Sequence, residues 1–342
     1  MPAHFFLRRS FLRVITVASV VLTSGTGAAE TKPLRVGMIG LDTSHVPAFV
    51  KLFNSPTAAG DLAGLRIVAG YPGGTDMPSS KNRVEKFTDD VRKMGVEIVD
   101  SIPALLEKVD VVLLESVDGR IHLKEAIPVI KAGKPLFIDK PAAGTLADVI
   151  TIFELARKYN VPCFSSSSLR FVPGIVGLKT SPELGTIAGV MTWGSCAYQE
   201  GTLDMAFYGI HGIEPLFALM GTGCETVTRV TTKDADLVTG IWKDGRVASY
   251  RGIRNNKAEF GAIAFGSKAI IPASRGGGYE ELCREIGRFF KTRRSPVPAE
   301  ETIEIFAFMA AADESKHQGG APVSVASVLA KGRRDAAAQM PR

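Results

Sequence analysis

The sequence predicts two kinds of α/β architecture in series: a doubly wound parallel sheet first, then a mainly antiparallel sheet with helices on one face. Three observations carry this. Apolar strands and helical segments alternate for the first half of the chain. Longer strands of alternating polarity then replace them. An Asp-Gly turn at Lys243-Asp244-Gly245-Arg246 marks a hairpin in that second half, because Asp-Gly accepts positive φ.

The elements follow in order. Leu34–Gly40 (LRVGMIG) is an apolar strand ending in glycine, and Thr43–Phe53 carries apolar residues at helical spacing. Leu65–Gly70 and Glu97–Val99 are the next strands. Asp110–Glu115 (DVVLLE) is almost continuously apolar, as a strand buried on both faces requires. His122–Ala132 is a helix closed by Gly133, then come strand Leu136–Asp139, helix Leu146–Tyr159 and strand Val161–Ser165. Beyond Arg170 the strands are Ile187–Tyr198, Glu225–Thr232, Leu237–Lys243, Arg246–Gly252 and Ala258–Ala264. Tyr279–Phe290 and Glu300–Lys316 are helical, and Lys331–Arg342 reads as a frayed tail. The domain boundaries expected are 33–168 for the first sheet, 169–330 for the second and 331–342 for the tail.

Composition excludes some functions. The chain has 342 residues, 45% hydrophobic and 22% charged, which is ordinary globular composition. A net charge of +6 is scattered rather than gathered into an aromatic-laced basic face, so a nucleic-acid partner is not expected. The four cysteines, Cys163, Cys196, Cys224 and Cys283, form no C-x-x-C pair, and no Cys/His spacing resembles a zinc site. No metal ligand is named by the sequence. Cys163, in VPCF, reads as a buried core thiol.

The first 29 residues read as an export signal. Arg8-Arg9-Ser10-Phe11-Leu12 precedes an apolar stretch, Val14 to Leu22, and small residues lead to a cleavage site near Ala29. The paired arginines resemble a twin-arginine signal; the general secretory route and an uncleaved anchor are the alternatives. The expected location is periplasmic or extracellular, with no membrane partner once the signal is removed.

The chemistry-bearing residues gather at strand ends. A dinucleotide-binding Rossmann-type domain runs its first strand into G-x-G-x-x-G at a helix start, so that the pyrophosphate meets backbone amides. Here the turn is Gly40-Leu41-Asp42-Thr43-Ser44-His45. Only the first glycine is present. A carboxylate about 4 Å from a phosphate charge costs about 4 kcal/mol at an effective dielectric of about 20. Asp42 is also a natural N-cap for the helix beginning at Thr43, which would take up the amides a pyrophosphate needs. The second strand ends Gly70-Tyr71-Pro72-Gly73-Gly74, without the acid that holds an adenine ribose. Ser79, Ser80, Lys81 and Arg83 follow; a solvated loop is the favoured reading, a 2′-phosphate site the other.

Asp139-Lys140-Pro141 stands at the carboxyl end of a buried strand, where ligands sit in open α/β sheets. Lys140 there can bind a hydroxyl or lower its pKa. Glu115 ends the preceding strand. His122 faces the same edge, though a solvated helix start is the favoured reading. His211 sits in Gly209-Ile210-His211-Gly212-Ile213-Glu214, opening an apolar helix.

The Asp-Lys-Pro segment, Ser168-Leu169-Arg170-Phe171-Val172-Pro173 and the Gly-x-His-x-x-acid helix together resemble the Gfo/Idh/MocA family, which includes glucose–fructose oxidoreductase and inositol dehydrogenase. The resemblance runs from about Leu34 to Ser324. It implies a Rossmann domain binding NAD or NADP, and a second domain often used for homo-oligomerisation. It implies Lys140 and His211 as catalytic residues, with Arg170 joining them in binding a carbohydrate substrate. The cofactor set it implies is Gly40, Leu41, Asp42, Thr43, Ser44, His45, Glu115, His122, Asp139 and Lys140. The activity implied is dehydrogenation or reduction at a sugar or polyol hydroxyl. The sequence departs from the family at Asp42 and His45, at the missing acid after Gly70, and at Phe207, where family dehydrogenases often place an Asp four residues before the histidine. Asp204 or Tyr208 are the candidates to replace that Asp. The departures open a second reading: a non-redox member that binds a sugar or performs elimination or hydrolysis, with His45 or His122 assisting Lys140 and His211. A structural or interaction protein using the open sheet is a third.

Overall fold

The computed structural model describes residues 1–4, 32–255, 257–274 and 276–341. The twin-arginine segment and the expected cleavage site lie outside the described residues. The chain divides into two units, 1–32 and 33–342, and the second carries the fold.

Its first sheet is built from β1 (Leu34–Ile39), α1 (His45–Phe53), β2 (Leu65–Tyr71), α2 (Pro78–Lys81), α3 (Val84–Lys93), β3 (Glu97–Ile98), α4 (Ile102–Leu106), β4 (Val111–Leu114), α5 (His122–Lys131), β5 (Leu136–Asp139), α6 (Leu146–Lys158) and β6 (Cys163–Ser166). The strands are parallel in the order β3-β2-β1-β4-β5-β6. That is the doubly wound order, which reverses between β1 and β4 and opens a crevice at the strands' carboxyl ends. The two-residue period sends Val36, Met38, Val111, Leu113 and Phe137 to one face, and Ile39, Val112, Leu114 and Ile138 to the other. All of these are buried, which is why β4 reads as a continuous apolar run. Gly133 ends α5 with φ +70°, the left-handed closure expected of it. Thr145 caps α6 by accepting a hydrogen bond from Asp148 N at 3.1 Å.

After α7 (Pro173–Lys179) the second sheet begins with β7 (Ile187–Ser195), followed by α8 (Ile210–Met220), β8 (Cys224–Thr231), β9 (Ala235–Trp242), β10 (Val247–Ile253), β11 (Gly261–Gly266) and β12 (Ile270–Pro272). Then come α9 (Glu280–Thr292), α10 (Ala299–His317), β13 (Val323–Ser324) and α11 (Val325–Gln339). The order is β12-β11-β7-β10-β9-β8-β13, antiparallel except for the β7–β10 pair. The Asp-Gly hairpin forms as expected: Gly245 has φ +84°, and Trp242 N donates to Arg246 O at 2.8 Å. Helices α8, α10 and α11 cover one face. Gly212 lets α8 close on the sheet, since a Cβ there would stand 2.3 Å from the Tyr250 ring.

Two features differ from the sequence reading. The C-terminal segment is not frayed but helical, α11, whose Gly332 packs against Leu146 and Ile150 of α6. Helix α9 returns to the first sheet, where Leu282, Ile286 and Phe289 join Phe49 and Phe53 of α1 over Val36 and Met38. The four cysteines are free and buried; burial alone pushes the Cys163 thiol up to about 12, consistent with a core thiol. Among the described residues no helix is long and apolar enough to cross a membrane.

Candidate active site

The first two amides of the turn after β1 are already engaged. Gly40, at φ +82°, lies so close to Ser116 that a Cβ would meet its Oγ at 2.2 Å. Gly40 N donates to Tyr71 O at 3.0 Å, and Leu41 N donates to Pro72 O at 2.8 Å. The strand-end segment after β2 is therefore hydrogen-bonded onto the turn. Asp42 is fully buried. Its Oδ1 accepts from Val117 N at 2.9 Å, and its Oδ2 accepts from Ser80 Oγ at 2.5 Å.

This corrects the capping expectation. Helix α1 starts at His45 rather than Thr43, its cap residue is Ser44, and no side chain bonds the first turn as a cap. Asp42 instead ties the segments after β2 and β4 together. Thr75 Oγ1 donates to Asp118 Oδ2 at 2.8 Å, and Arg120 reaches both Asp118 and Asp76, closing the same span. The Ser79–Arg83 stretch is consequently not a solvated loop: Ser80 is buried on Asp42, while Ser79 and Arg83 line the neighbouring cleft. A pyrophosphate on the Gly40–His45 turn would meet two engaged amides and the buried Asp42 carboxylate, a charge cost that a G-x-G-x-x-G turn does not carry.

Three buried side chains converge at the carboxyl ends of β4 and β5. His45 Nδ1 lies 2.8 Å from Asp139 Oδ2. Glu115, directly after β4, has no hydrogen-bond partner on either carboxylate oxygen, and Asp139 Oδ1 has none either. One ligand-capable atom from each of His45, Glu115 and Asp139 lies within 4.8 Å of the others. The His45 ring is fixed between Phe49 and Tyr279, at centroid distances of 5.6 and 4.4 Å. Burial, reinforced by Asp139, pushes the Glu115 carboxyl well above the usual carboxylate range, with Lys140 pulling the other way. Burial acts on Asp139 too, but His45 and Lys140 outweigh it and hold that carboxyl low.

Beside this cluster lies a cleft of about 370 Å³ lined by Thr43, Ser44, His45, Ser79, Arg83, Lys140, Ser168, Tyr208, His211 and Tyr279, among others. Its volume sits at the small end of ligand pockets, which run from about 300 to 1,000 Å³. Lys140 and His211, far apart in sequence, face it together. The Lys140 Nζ stands 5.9 Å from the centre of the Tyr208 ring, which in turn meets the His211 ring edge-on at 6.0 Å. Ser167 Oγ and His211 Nδ1 are 2.7 Å apart, and Leu169 N donates to the same hydroxyl at 3.2 Å. Burial, then the charge of Lys140, hold the His211 imidazole well below its ordinary pKa, so it is neutral near pH 7.

Two expected site residues face elsewhere. Arg170 does not line the cleft. It is buried, its Nε donating to Glu214 Oε2 at 2.6 Å and its other end bound to Glu301. His122 is not a solvated helix start. It is fully buried, with Nε2 2.7 Å from Ser116 O and Nδ1 3.3 Å from Ala142 O, so neither nitrogen is left for a ligand. Nor do Asp204 and Tyr208 replace the Asp missing at Phe207. Asp204 is bound to Arg229 and Lys316, Tyr208 only stacks, and the group on His211 is Ser167, which the sequence reading missed. Ser167 directly follows β6, and that position at a strand end was its one sequence signal.

Residues 77–167 match the sequence pattern described as "Oxidoreductase family, NAD-binding Rossmann fold", GFO_IDH_MocA. The resemblance to the Gfo/Idh/MocA family is borne out. No curated protein matches the chain in sequence. Solved structures of this fold superpose over most of its length. A "probable dehydrogenase" from Thermotoga maritima is 21% identical, with a TM-score of 0.69 over 86% of this chain and 100% of its own. The scyllo-inositol dehydrogenase of Lactobacillus casei, solved with NAD(H) and scyllo-inositol, is 13% identical, with a TM-score of 0.70 over 86% and 100%. GenD2 of gentamicin A biosynthesis, solved with NAD, is 14% identical, with a TM-score of 0.70 over 91% and 99%. The Gfo/Idh/MocA fold is thus common ground.

Proposed function

We propose that this chain acts on a hydroxyl group of a small carbohydrate or polyol held between Lys140 and His211. The observation that carries the reading is the meeting of these two residues in one cleft. His211 is the proton acceptor. With Nδ1–H donating to Ser167 Oγ, Nε2 keeps its lone pair for the substrate hydroxyl. The Lys140 ammonium stabilises the alkoxide that forms. The polyol class is supported by the inositol dehydrogenase among the similar structures.

Two chemistries can use this pair of residues. Hydride transfer to NAD or NADP is supported by the family match over residues 77–167. It asks the dinucleotide either to accommodate the Asp42 carboxylate or to sit away from the Gly40–His45 turn. Elimination or hydrolysis without a dinucleotide would instead have His211 take a proton from carbon or from water as a leaving group departs from the substrate; it is supported by the buried Asp42 and the engaged amides of Gly40 and Leu41. Only hydride transfer turns that alkoxide into a product, a carbonyl, and the family match supports it, so it is the favoured reading.

The test is native mass spectrometry of the protein folded with its N-terminal segment intact, followed by calorimetric titration with glucose, myo-inositol, NAD+ and NADP+. A dinucleotide released on denaturation, or sugar binding that needs added NAD(P), supports the favoured reading. Sugar or polyol binding by protein that neither carries nor takes up a dinucleotide overturns it in favour of the second. Export is part of the proposal, and Arg8→Lys with Arg9→Lys is expected to retain the protein in the cytoplasm. Self-association is also proposed, through the second sheet's helix-free face, where Met191, Val230, Leu237, Ile241 and Val247 are exposed. A monomer in sedimentation would rule that out.

A further inference from the structure

We propose that His45, Glu115 and Asp139 form a binding site for one first-row divalent metal ion of the Zn2+ or Mn2+ class. The three come from three segments: the start of α1, the residue after β4, and the last residue of β5. The sheet order brings these segments to one crevice, at the point where the strand order reverses.

The strongest observation is Glu115. Its side chain is wholly buried, yet neither oxygen has a hydrogen-bond partner. Buried polar atoms are nearly always paired, and an unpaired buried carboxylate is among the costliest exceptions. Asp139 Oδ1 is a second such atom, in the same place. Both carboxylates share the crevice with an imidazole nitrogen already 2.8 Å from Asp139 Oδ2. Two carboxylates and one imidazole are a nitrogen–oxygen donor set, with no thiolate, that suits Zn2+ and Mn2+. Their atoms lie within 4.8 Å of one another. Bonds of about 2.0–2.2 Å at tetrahedral angles set ligand atoms about 3.3–3.6 Å apart, so closing such a span on an ion takes a side-chain adjustment on the order of 1 Å.

Charge and access agree. Two carboxylates match the charge of a divalent ion. Lys140 and Asp42 are the other charged groups acting on Glu115, of opposite sign to each other. His45 lines the cleft that holds Lys140 and His211, so an ion can enter from that side. The packing of His45 between Phe49 and Tyr279 holds the imidazole in place before any ion arrives. A competing arrangement is a proton shared between Glu115 and Asp139, which would satisfy the same atoms without metal.

The site stands independently of which chemistry the cleft performs. The test uses tag-free full-length protein stripped with chelator, then titrated with Zn2+ and with Mn2+ in separate experiments, the bound ion counted by elemental mass spectrometry after gel filtration. One ion per chain is expected, with a rise in melting temperature. Glu115→Gln keeps the shape and removes the charge, and His45→Gln removes the imidazole. Each is expected to weaken binding by at least about tenfold and to abolish the metal-dependent thermal shift. Circular dichroism confirms that the variants fold. No ion retained at millimolar metal overturns the site in favour of the shared proton. Binding unchanged in both variants places the ion elsewhere and overturns it equally. The readout is the ion itself, so failure here is distinct from failure of the sugar reading.

Discussion

Ser80 donates its hydroxyl hydrogen to Asp42 Oδ2 at 2.5 Å, and together with the Leu41 N bond to Pro72 O this fastens the segment after β2 across the end of β1. With Val117 N on the other oxygen, Asp42 has both carboxylate oxygens engaged inside the protein. Asp42→Gly restores the family's glycine and removes the charge. The variant is expected to lose about 2 kcal/mol of stability, because Ser80 Oγ and Val117 N lose a buried acceptor. It is also expected to bind NAD+ at least about tenfold more tightly than the parent, since about 4 kcal/mol of repulsion is relieved at an effective dielectric of about 20. Calorimetry on both proteins decides it: equal affinities would show that Asp42 is not what closes the seat.

Glu125 gives a pH dependence with a definite sign. It is buried, Ser116 Oγ donates to it at 2.6 Å, and burial raises its pKa to about 7. The carboxyl is protonated in both states at low pH. As pH rises, the unfolded chain ionises first, so stability falls from about pH 4.5 to about 7 and then levels. Linkage sets the loss at up to about 3 kcal/mol. Glu125→Gln keeps an acceptor for Ser116 and cannot ionise. Urea unfolding of both proteins from pH 4.5 to 8 should show no difference at the acid end and a more stable variant at the alkaline end. A gap that stays constant with pH contradicts the assignment.

What the sequence disclosed follows from the range of each interaction. The strand–helix alternation was legible because a buried parallel strand such as Val111–Leu114 must be apolar at every position. The abnormal turn was legible because it is six consecutive residues. The partners of Asp42 were not, since Ser80 and Val117 are 38 and 75 positions away. Capping, the local rule, was overruled by those tertiary partners. The same holds for His45, Glu115 and Asp139, whose spacing matches no local metal motif and which meet only through the sheet order. Lys331–Arg342 reads as a tail in the sequence because its polar length hides one small-residue contact, Gly332 on Leu146 and Ile150.

His211 offers a spectroscopic prediction. Burial comes first and the Lys140 charge second in lowering its pKa. Lys140→Met removes the second cause, so the His211 pKa must rise in that variant while staying below the ordinary histidine value. Nitrogen-edited NMR of histidine-labelled protein reads this directly, with His211→Gln assigning the signal among the five histidines. Ser167→Ala removes the partner at Nδ1 and should shift the tautomer balance seen in the two ring nitrogens. An unmoved His211 titration in Lys140→Met would separate the two residues and weaken their shared role in the cleft.

Arg170 separates a structural role from a binding one. It was expected to hold substrate, but its guanidinium pairs with Glu214 and Glu301 beneath the start of α8. Glu214 is 2% exposed, and its other side-chain contact is Ser166 Oγ at 3.3 Å. Arg170→Met therefore strands a buried carboxylate, at a cost of about 3–5 kcal/mol. Adding Glu214→Gln removes the stranded charge and should recover part of that loss, a signature of pairing rather than of lost packing. Because Arg170 does not line the cleft, sugar or polyol affinity of the folded double variant is expected to stay within about twofold of the parent, on the order of 0.4 kcal/mol. Denaturant unfolding and calorimetry on the single and double variants measure both quantities. A tenfold loss of affinity with stability intact would return Arg170 to the substrate site and turn its carboxylate partners into its positioning groups.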